Sequence, residues 1–253
     1  MRYTFGNTDN AAARLKDIAG FFNPLAEKFI LLHLKKTIQS AADLGCGPGF
    51  STQMLASVTR AEKITGIDNS LHFLNLAKEQ FPGINFIQQD LTKWNSNSRY
   101  DILYCRFLLS HLVNLEHLLK SWTEHLNKDG ILFIDELEDI FTDVPVFIDY
   151  LAMNASLVKS QGAELYVGKK LDQAIADFNI LLNQSEIIPV KDSLAAGWFY
   201  PNTLGIWNEE QVVLDALSEE KRKSISDELL TMHRSKINQS RITWKMKRII
   251  LTK

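Results

Sequence analysis

Ala42-Asp43-Leu44-Gly45-Cys46-Gly47-Pro48-Gly49 reads as the end of a strand, a glycine-dense turn and the entry to a helix. Glycine has no side chain and tolerates positive φ, so backbone at such a turn can approach a nucleotide-like ligand closely. The helix that follows offers free N–H groups to the ligand's polar atoms. Three alternating glycines are a weak signal alone, and two acidic residues strengthen it. Asp68 closes the strand-like run Lys63-Ile64-Thr65-Gly66-Ile67-Asp68, and Asp90 closes Asn85-Phe86-Ile87-Gln88-Gln89-Asp90. Each follows the previous element at a βα-unit interval.

Upstream, Leu15, Ile18, Phe22, Leu25, Phe29 and Leu32 recur at three- and four-residue steps, which predicts helix over 10–36. Asn23-Pro24 is expected to split it in two, because the residue before a proline avoids the helical region. Downstream, helices are predicted over 51–58, 70–80 (Ser70 as N-cap) and 115–126. Strands are predicted over 39–44, 63–68, 85–89, 100–106 and 130–135, the last after the turn signal Asn127-Lys128-Asp129-Gly130. This alternation argues for a parallel α/β sheet with right-handed crossovers. After Glu136 the pattern changes: two helical stretches and no strand over 137–183, a strand over 185–193, and charged helix over 208–237. Residues 241–252 alternate with a period of two and read as a final strand.

The chain has 253 residues, 45% hydrophobic and 23% charged, enough for one large core. A net charge of -2 argues against a nucleic-acid footprint, which needs a basic excess. The two cysteines, Cys46 and Cys105, form no CxxC or Cys/His metal spacing and fit a reducing compartment. Residues 1–10 lack an apolar signal core, and no apolar run spans a bilayer. A single-domain cytoplasmic protein, monomer or homodimer, is expected.

Over residues 40–135 the chain resembles the class I S-adenosylmethionine-dependent methyltransferases. The likeness rests on the acidic-Leu-Gly-Cys-Gly-x-Gly turn, the strand ends at Asp68 and Asp90, Tyr100-Asp101-Ile102 and Gly130-Ile131-Leu132. Tyr3-x-x-Gly6 followed by Arg14-Leu15 resembles a subgroup with small-molecule acceptors. The family's fold implies a Rossmann-like doubly wound seven-stranded sheet, mostly parallel with an antiparallel last strand, plus helical lid insertions. The expected division is 1–38 over the cofactor site, 39–136 as the cofactor-binding half, 137–205 as lid and acceptor side, and 206–253 as charged helices and last strand.

The resemblance implies S-adenosyl-L-methionine as cofactor and assigns roles. Gly45, Gly47 and the backbone at Cys46 line its methionyl part, and Gly49 starts the helix. Asp43 lies near the methionine amino group, directly or through water. Asp68 accepts from both ribose hydroxyls, with Asn69 or Ser70 flanking the adenine. Asp90 accepts from the adenine amino group, and Leu91 supplies a backbone N–H. Cys105 and Arg106 bring a carbonyl to the methionine ammonium, Arg14 pairs with the methionine carboxylate, and Tyr3 closes over the site.

His111 is the candidate general base, with a locally packed helix-entry histidine as the alternative; Asp135 and Glu136 are expected to face the same crevice. Aromatics between 137 and 205 (Phe141, Phe147, Tyr150, Tyr166, Trp198, Phe199, Tyr200) suggest either a lid over an apolar or aromatic small-molecule acceptor or, as such residues more often do, the core of an appended helical layer. The competing readings are a non-catalytic cofactor binder and an NAD-dependent oxidoreductase. Against the second, the turn is GxGxG, not GxGxxG, and Phe50 stands where the third glycine would be. A nucleic-acid methyltransferase would carry Asn/Asp-Pro-Pro-aromatic where this chain has Cys105-Arg106-Phe107-Leu108.

Overall fold

The structure is a computed structural model that describes residues 5–6, 8–34, 37–235 and 237–253. In chain order its elements are α1 (Asp9–Leu31), β1 (Ser40–Leu44), α2 (Phe50–Thr59), β2 (Lys63–Asp68), α3 (Leu71–Gln80), β3 (Asn85–Gln88) and β4 (Tyr100–Arg106). There follow α4 (Leu115–Glu124), β5 (Leu126–Thr142), α5 (Pro145–Ser160), α6 (Gly168–Ala174), β6 (Asn179–Val190), α7 (Asp192–Leu204), α8 (Gln211–Ala216), α9 (Glu219–Arg234) and β7 (Ile242–Thr252). The strands form one seven-stranded sheet in the order β3-β2-β1-β4-β5-β7-β6. Pairing is parallel from β3 through β5, and β7 runs antiparallel to both β5 and β6. The order reverses between β1 and β4, which opens a crevice at the carboxyl ends of those strands.

Strand β4 shows why the sheet is covered on both sides. Ile102 and Tyr104 pack with Phe29, Ile30 and Leu55 from α1 and α2. Leu103 and Cys105 point the other way, towards Leu119 and Trp122 of α4 and Leu171 of α6. A run buried on both faces reads as continuously apolar, as the sequence does here. A third apolar cluster joins α5, α7 and α9 to Trp244 and Met246 of β7.

Three sequence expectations are corrected. Helix α1 runs unbroken through Pro24. The ring removes one backbone bond, but Phe22, Ala26, Phe29 and Ile30 on both sides of it are buried, and their packing outweighs that loss. Asn23 also ties α1 down, donating from Nδ2 to the Phe50 carbonyl at 3.0 Å. Strand β5 starts at Leu126 and runs to Thr142, beyond the expected 130–135. The Asn127-to-Gly130 turn signal becomes a register irregularity opposite β4, with Asp129 at φ 61°. Strand β6 begins at Asn179, inside the region read as strandless, and ends at Val190; Asp192 and Ser193 already belong to α7.

Candidate functional site

The turn after β1 is held in left-handed backbone at Gly45 (φ 72°), Gly47 (φ 51°) and Gly49 (φ 88°). The N–H groups of Gly45 and Cys46 both donate to the Ile67 carbonyl, at 2.8 and 3.0 Å, which ties the turn to β2. A Cβ on Gly47 would meet only Leu15 Cδ1, at 3.8 Å, so this backbone is an open floor. Gly49 is different: its Cβ would lie 3.0 Å from both Ala77 Cβ and Phe86 Cζ. Gly49→Ala is therefore expected to cost about 2 kcal/mol from left-handed backbone and crowding. A denaturant unfolding curve would show it as a lower midpoint at unchanged slope.

The cleft over this floor, about 1080 Å³ with its mouth, is bordered by Gly45, Cys46, Gly47, Asp68, Asn69, Asp90, Leu91, Arg106 and His111. Leu15, Ile18 and Phe107 border its opposite side. Asp68 Oδ2 accepts from Gly47 N at 2.8 Å and Oδ1 from Ser70 N at 2.7 Å. Burial raises the Asp68 pKa, and those N–H groups oppose the rise. At Asp90 both local bonds fall on Oδ1, from Thr92 N at 2.9 Å and Thr92 Oγ1 at 2.7 Å, and the Thr92 hydroxyl lowers its pKa. The Leu91 carbonyl accepts from Trp122 Nε1 at 3.1 Å, which fixes this corner against α4.

Arg106 ends β4 and donates from Nη2 to Asn23 Oδ1 at 2.6 Å. Its Nη1 is buried with no hydrogen-bond partner among the described residues. This side chain, which the sequence suggested only for its backbone, brings a guanidinium to the cleft.

The other expected site residues stand elsewhere. Asp43 is buried behind the turn, where its Oδ2 accepts from Ser51 Oγ at 2.6 Å and Thr52 Oγ1 at 2.7 Å. Burial pushes its pKa up to about 6. Gly49 is the N-cap of α2 and Ser70 that of α3, where its hydroxyl accepts from Phe73 N at 3.3 Å. Cys105 is fully buried in the sheet core. Arg14 does not border the cleft; it borders a second cavity. Tyr3 lies outside the described residues.

That second cavity, about 710 Å³ with its mouth, shares Leu15, Ile18, Phe107 and His111 with the cleft as a common wall. Tyr150, Trp198 and Phe199, three of the expected aromatics, border it. Phe147 packs behind Phe199 in the core, and Phe141 is exposed. Phe107 and Trp244 were missed by a reading confined to 137–205; they come from the end of β4 and from β7.

His111 sits in a 3₁₀ turn, Leu109–His111, on the common wall. Burial, with the Arg14 charge adding to it, lowers its pKa to about 4, so its ring is neutral at pH 7. Glu136 holds this turn from behind: its Oε1 accepts from Leu108 N at 2.7 Å and Leu109 N at 2.8 Å. Asp135, its neighbour on β5, turns away to Arg248 at 3.3 Å. Neither carboxylate borders the cleft or the second cavity, where the sequence reading had placed both at the crevice.

Comparison with known proteins agrees with this architecture. A methyltransferase-domain family model matches residues 41–130. Trans-aconitate 2-methyltransferase of Klebsiella pneumoniae (strain 342) is 34% identical over 104 residues, 41% of this chain and 40% of that one. The enzyme of the same name from Escherichia coli (strain 55989 / EAEC) is 32% identical over 99 residues, 39% of each chain. The chain thus matches about two fifths of the length of these curated relatives. Among solved structures, coclaurine N-methyltransferase bound to N-methylheliamine and SAH superposes with a TM-score of 0.57 at 16% identity, over 91% of this chain and 72% of that one. A protein of Bacillus halodurans C-125, assigned as a methyltransferase without an established activity, gives 0.57 at 14% identity, over 89% and 96%. No described helix is long and apolar enough to cross a membrane. Residues 41–130, which hold the glycine turn, thus match a methyltransferase domain, and the fold of the chain is that of solved methyltransferase structures.

Proposed function

We propose that the chain transfers the methyl group of S-adenosylmethionine to a small-molecule acceptor. The observation that carries this reading is the cleft at the β1/β4 switch point, with an open glycine floor, two carboxylates at successive strand ends and a second cavity behind a shared wall. The residues fit the cofactor: Gly47 leaves room where a Cβ would reach, and Arg106 Nη1 has no hydrogen-bond partner among the described residues.

In this reading Asp68 accepts from the ribose hydroxyls, since an ionised carboxylate is an acceptor only. Asp90 and the Leu91 N–H hold the adenine, with Asn69 alongside. The Arg106 guanidinium, not Arg14, pairs with the methionine carboxylate, because Arg106 is the one that borders the cleft. Asp43 shapes the turn through Ser51 and Thr52. The bound cofactor supplies an already activated methyl on a sulfonium sulfur, so the chain contributes alignment and exclusion of water. Leu15, Ile18 and Phe107 supply the apolar wall for that. His111, neutral and weakly basic, packs edge to face with Phe5 at the wall; a pKa near 4 makes it a poor general base at neutral pH. This favours an acceptor atom that has already lost its proton.

Calorimetric titration with S-adenosylmethionine, and with NAD in parallel, tests the reading. Saturable binding of S-adenosylmethionine alone is expected. Binding of NAD instead would overturn it.

A further inference from the structure

The two edges of the sheet are unlike. Strand β3 closes one side with four residues, Asn85–Gln88. Strand β6 closes the other with twelve, Asn179–Val190. It pairs with β7 alone, and no other described segment hydrogen-bonds to its backbone between Ile180 and Val190. A long open edge is a template for another strand, and proteins blunt such edges with short strands, lysines, prolines or bulges. Strand β6 carries no lysine or arginine. Its register against β7 skips Leu181, and Pro189 stands near its other end, so both irregularities lie away from its middle. Leu181 and Ile187 are 56% and 53% exposed, the most of any large apolar residue on the strand.

Pairing of this edge with its own copy has few solutions. A twofold axis normal to the sheet leaves each face on its own side, so it must set one residue opposite itself, and that residue fixes every other pair. With Gln184 at the axis, near the middle of β6, Leu181 of each copy lies opposite Ile187 of the other. Asn183 then meets Ser185, and Glu186 meets Leu182, so no charge faces a like charge. Glu186 is already paired with Arg248 on β7. The neighbouring registers are worse. With Glu186 at the axis two carboxylates would meet, and with Asn183 or Ser185 there Ile187 would face Asn179 or Asn183.

We propose that a second copy of this chain docks on β6, antiparallel and with Gln184 at the twofold axis, to form a dimer with one continuous sheet. The backbone ladder supplies the hold, and the Leu181–Ile187 contact at each end of the regular stretch selects the register. The two sheets then run in opposite directions, so the glycine-turn clefts open at opposite ends of the joint sheet. No residue of β6 borders the cleft, and each copy keeps a cleft made of its own residues. The dimer is therefore independent of the methyltransferase reading.

Sedimentation of the whole chain tests this. Expected is a reversible monomer–dimer equilibrium with the dimer predominant at about 100 μM and nothing larger, as for a small interface. Leu181→Lys combined with Ile187→Lys sets like charges against each other at both ends and should weaken dimerisation at least about tenfold. Leu181→Lys combined with Ile187→Glu sets opposite charges there and should recover most of the loss. Gln184→Cys should cross-link to its own copy under mild oxidation, because facing Cα atoms of an antiparallel pair lie about 4.5–5.5 Å apart, within reach of a disulfide. Ile187→Cys, remote from its own copy in this register, should not. Cys46 and Cys105 are buried and do not compete. Thermal melts report whether the variants fold, and the two cysteine variants decide the matter if a double variant does not. A parent chain that stays monomeric at about 100 μM would overturn the proposal. So would equal dimerisation of the two folded double variants, or cross-linking of Ile187→Cys as fast as that of Gln184→Cys. Growth beyond a dimer would overturn it too, since the closed pairing uses up both copies of the edge.

Discussion

Asp68→Ala is expected to raise the dissociation constant for S-adenosylmethionine about 1000-fold, close to 4 kcal/mol, the sum of two hydrogen bonds to a charged acceptor. The magnitude comes from position. Asp68 is fixed before any ligand arrives, because Gly47 N and Ser70 N hold its two oxygens at 2.8 and 2.7 Å. Little side-chain entropy remains to be lost on binding. Asp68→Asn should lose less, since its amide oxygen still accepts one of these bonds while its nitrogen cannot. Calorimetry gives the affinities, and a thermal melt of each variant separates lost binding from lost fold. Parent-like affinity in folded Asp68→Ala would remove the carboxylate from the ribose role.

A second large effect is expected at Glu136. Burial pushes its pKa from 4.5 up to about 8. One oxygen serves two N–H groups, and Oε2 is buried with no partner among the described residues, so a charge there would be poorly solvated. The neighbouring Asp135 carboxylate adds to the rise. The folded state therefore keeps a proton that the unfolded chain releases above pH 4.5. This contribution to stability is complete below pH 4.5, declines as pH rises and is lost above about pH 8. At about 1.4 kcal/mol per pKa unit it amounts to roughly 5 kcal/mol over the window, and about 2 kcal/mol above pH 6.5.

Glu136→Gln keeps an oxygen for Leu108 and Leu109 and has no proton to lose. Its stability should therefore fall less than the parent's between pH 6.5 and 9. Two of the other shifted groups, Asp43 and His111, interfere little above pH 6.5. Asp43 titrates by about pH 6, and His111, whose folded value is lowered, loses its contribution only as pH falls from 6.5 towards 4. Urea midpoints of both proteins at pH 6.5 and 9 measure the difference. Equal declines would show that Glu136 is ionised in the folded chain.

The cofactor half was legible because its signals are local. Glycines with positive φ and carboxylates that end short strands are written within a few residues of one another, and β1 to β4 lie within a residue or so of their expected places. Beyond Asp135 the code becomes nonlocal. Asp135, Glu138 and Asp139 look like the polar start of a loop. In the structure they belong to a strand whose acids meet bases on β7: Asp135 with Arg248 at 3.3 Å and Glu138 with Lys245 at 2.9 Å. Arg248 also pairs with Glu186 on β6.

No periodicity in β5 announces these partners, since they arrive more than a hundred residues later. The second cavity was hidden for the same reason, and so was the correct side for Arg14. Pro24 shows the converse, a strong local signal overruled by an apolar stripe that continues on both sides of it.

The sheet order has a consequence for how the molecule comes to exist. Strand β7 lies between β5 and β6, so β6 emerges from synthesis more than fifty residues before the strand that attaches it to the sheet. In that interval its backbone donors and acceptors face water, and Ile180, Leu181 and Ile187, exposed even in the finished sheet, lie along it. Pairing across such separations is slow. A waiting strand of this kind is where nascent chains stick to one another. Yield in a cell should therefore depend on how quickly β7 reaches its slot: shielding by a holding chaperone, or slower production at low temperature, is expected to raise the soluble fraction without altering the finished protein.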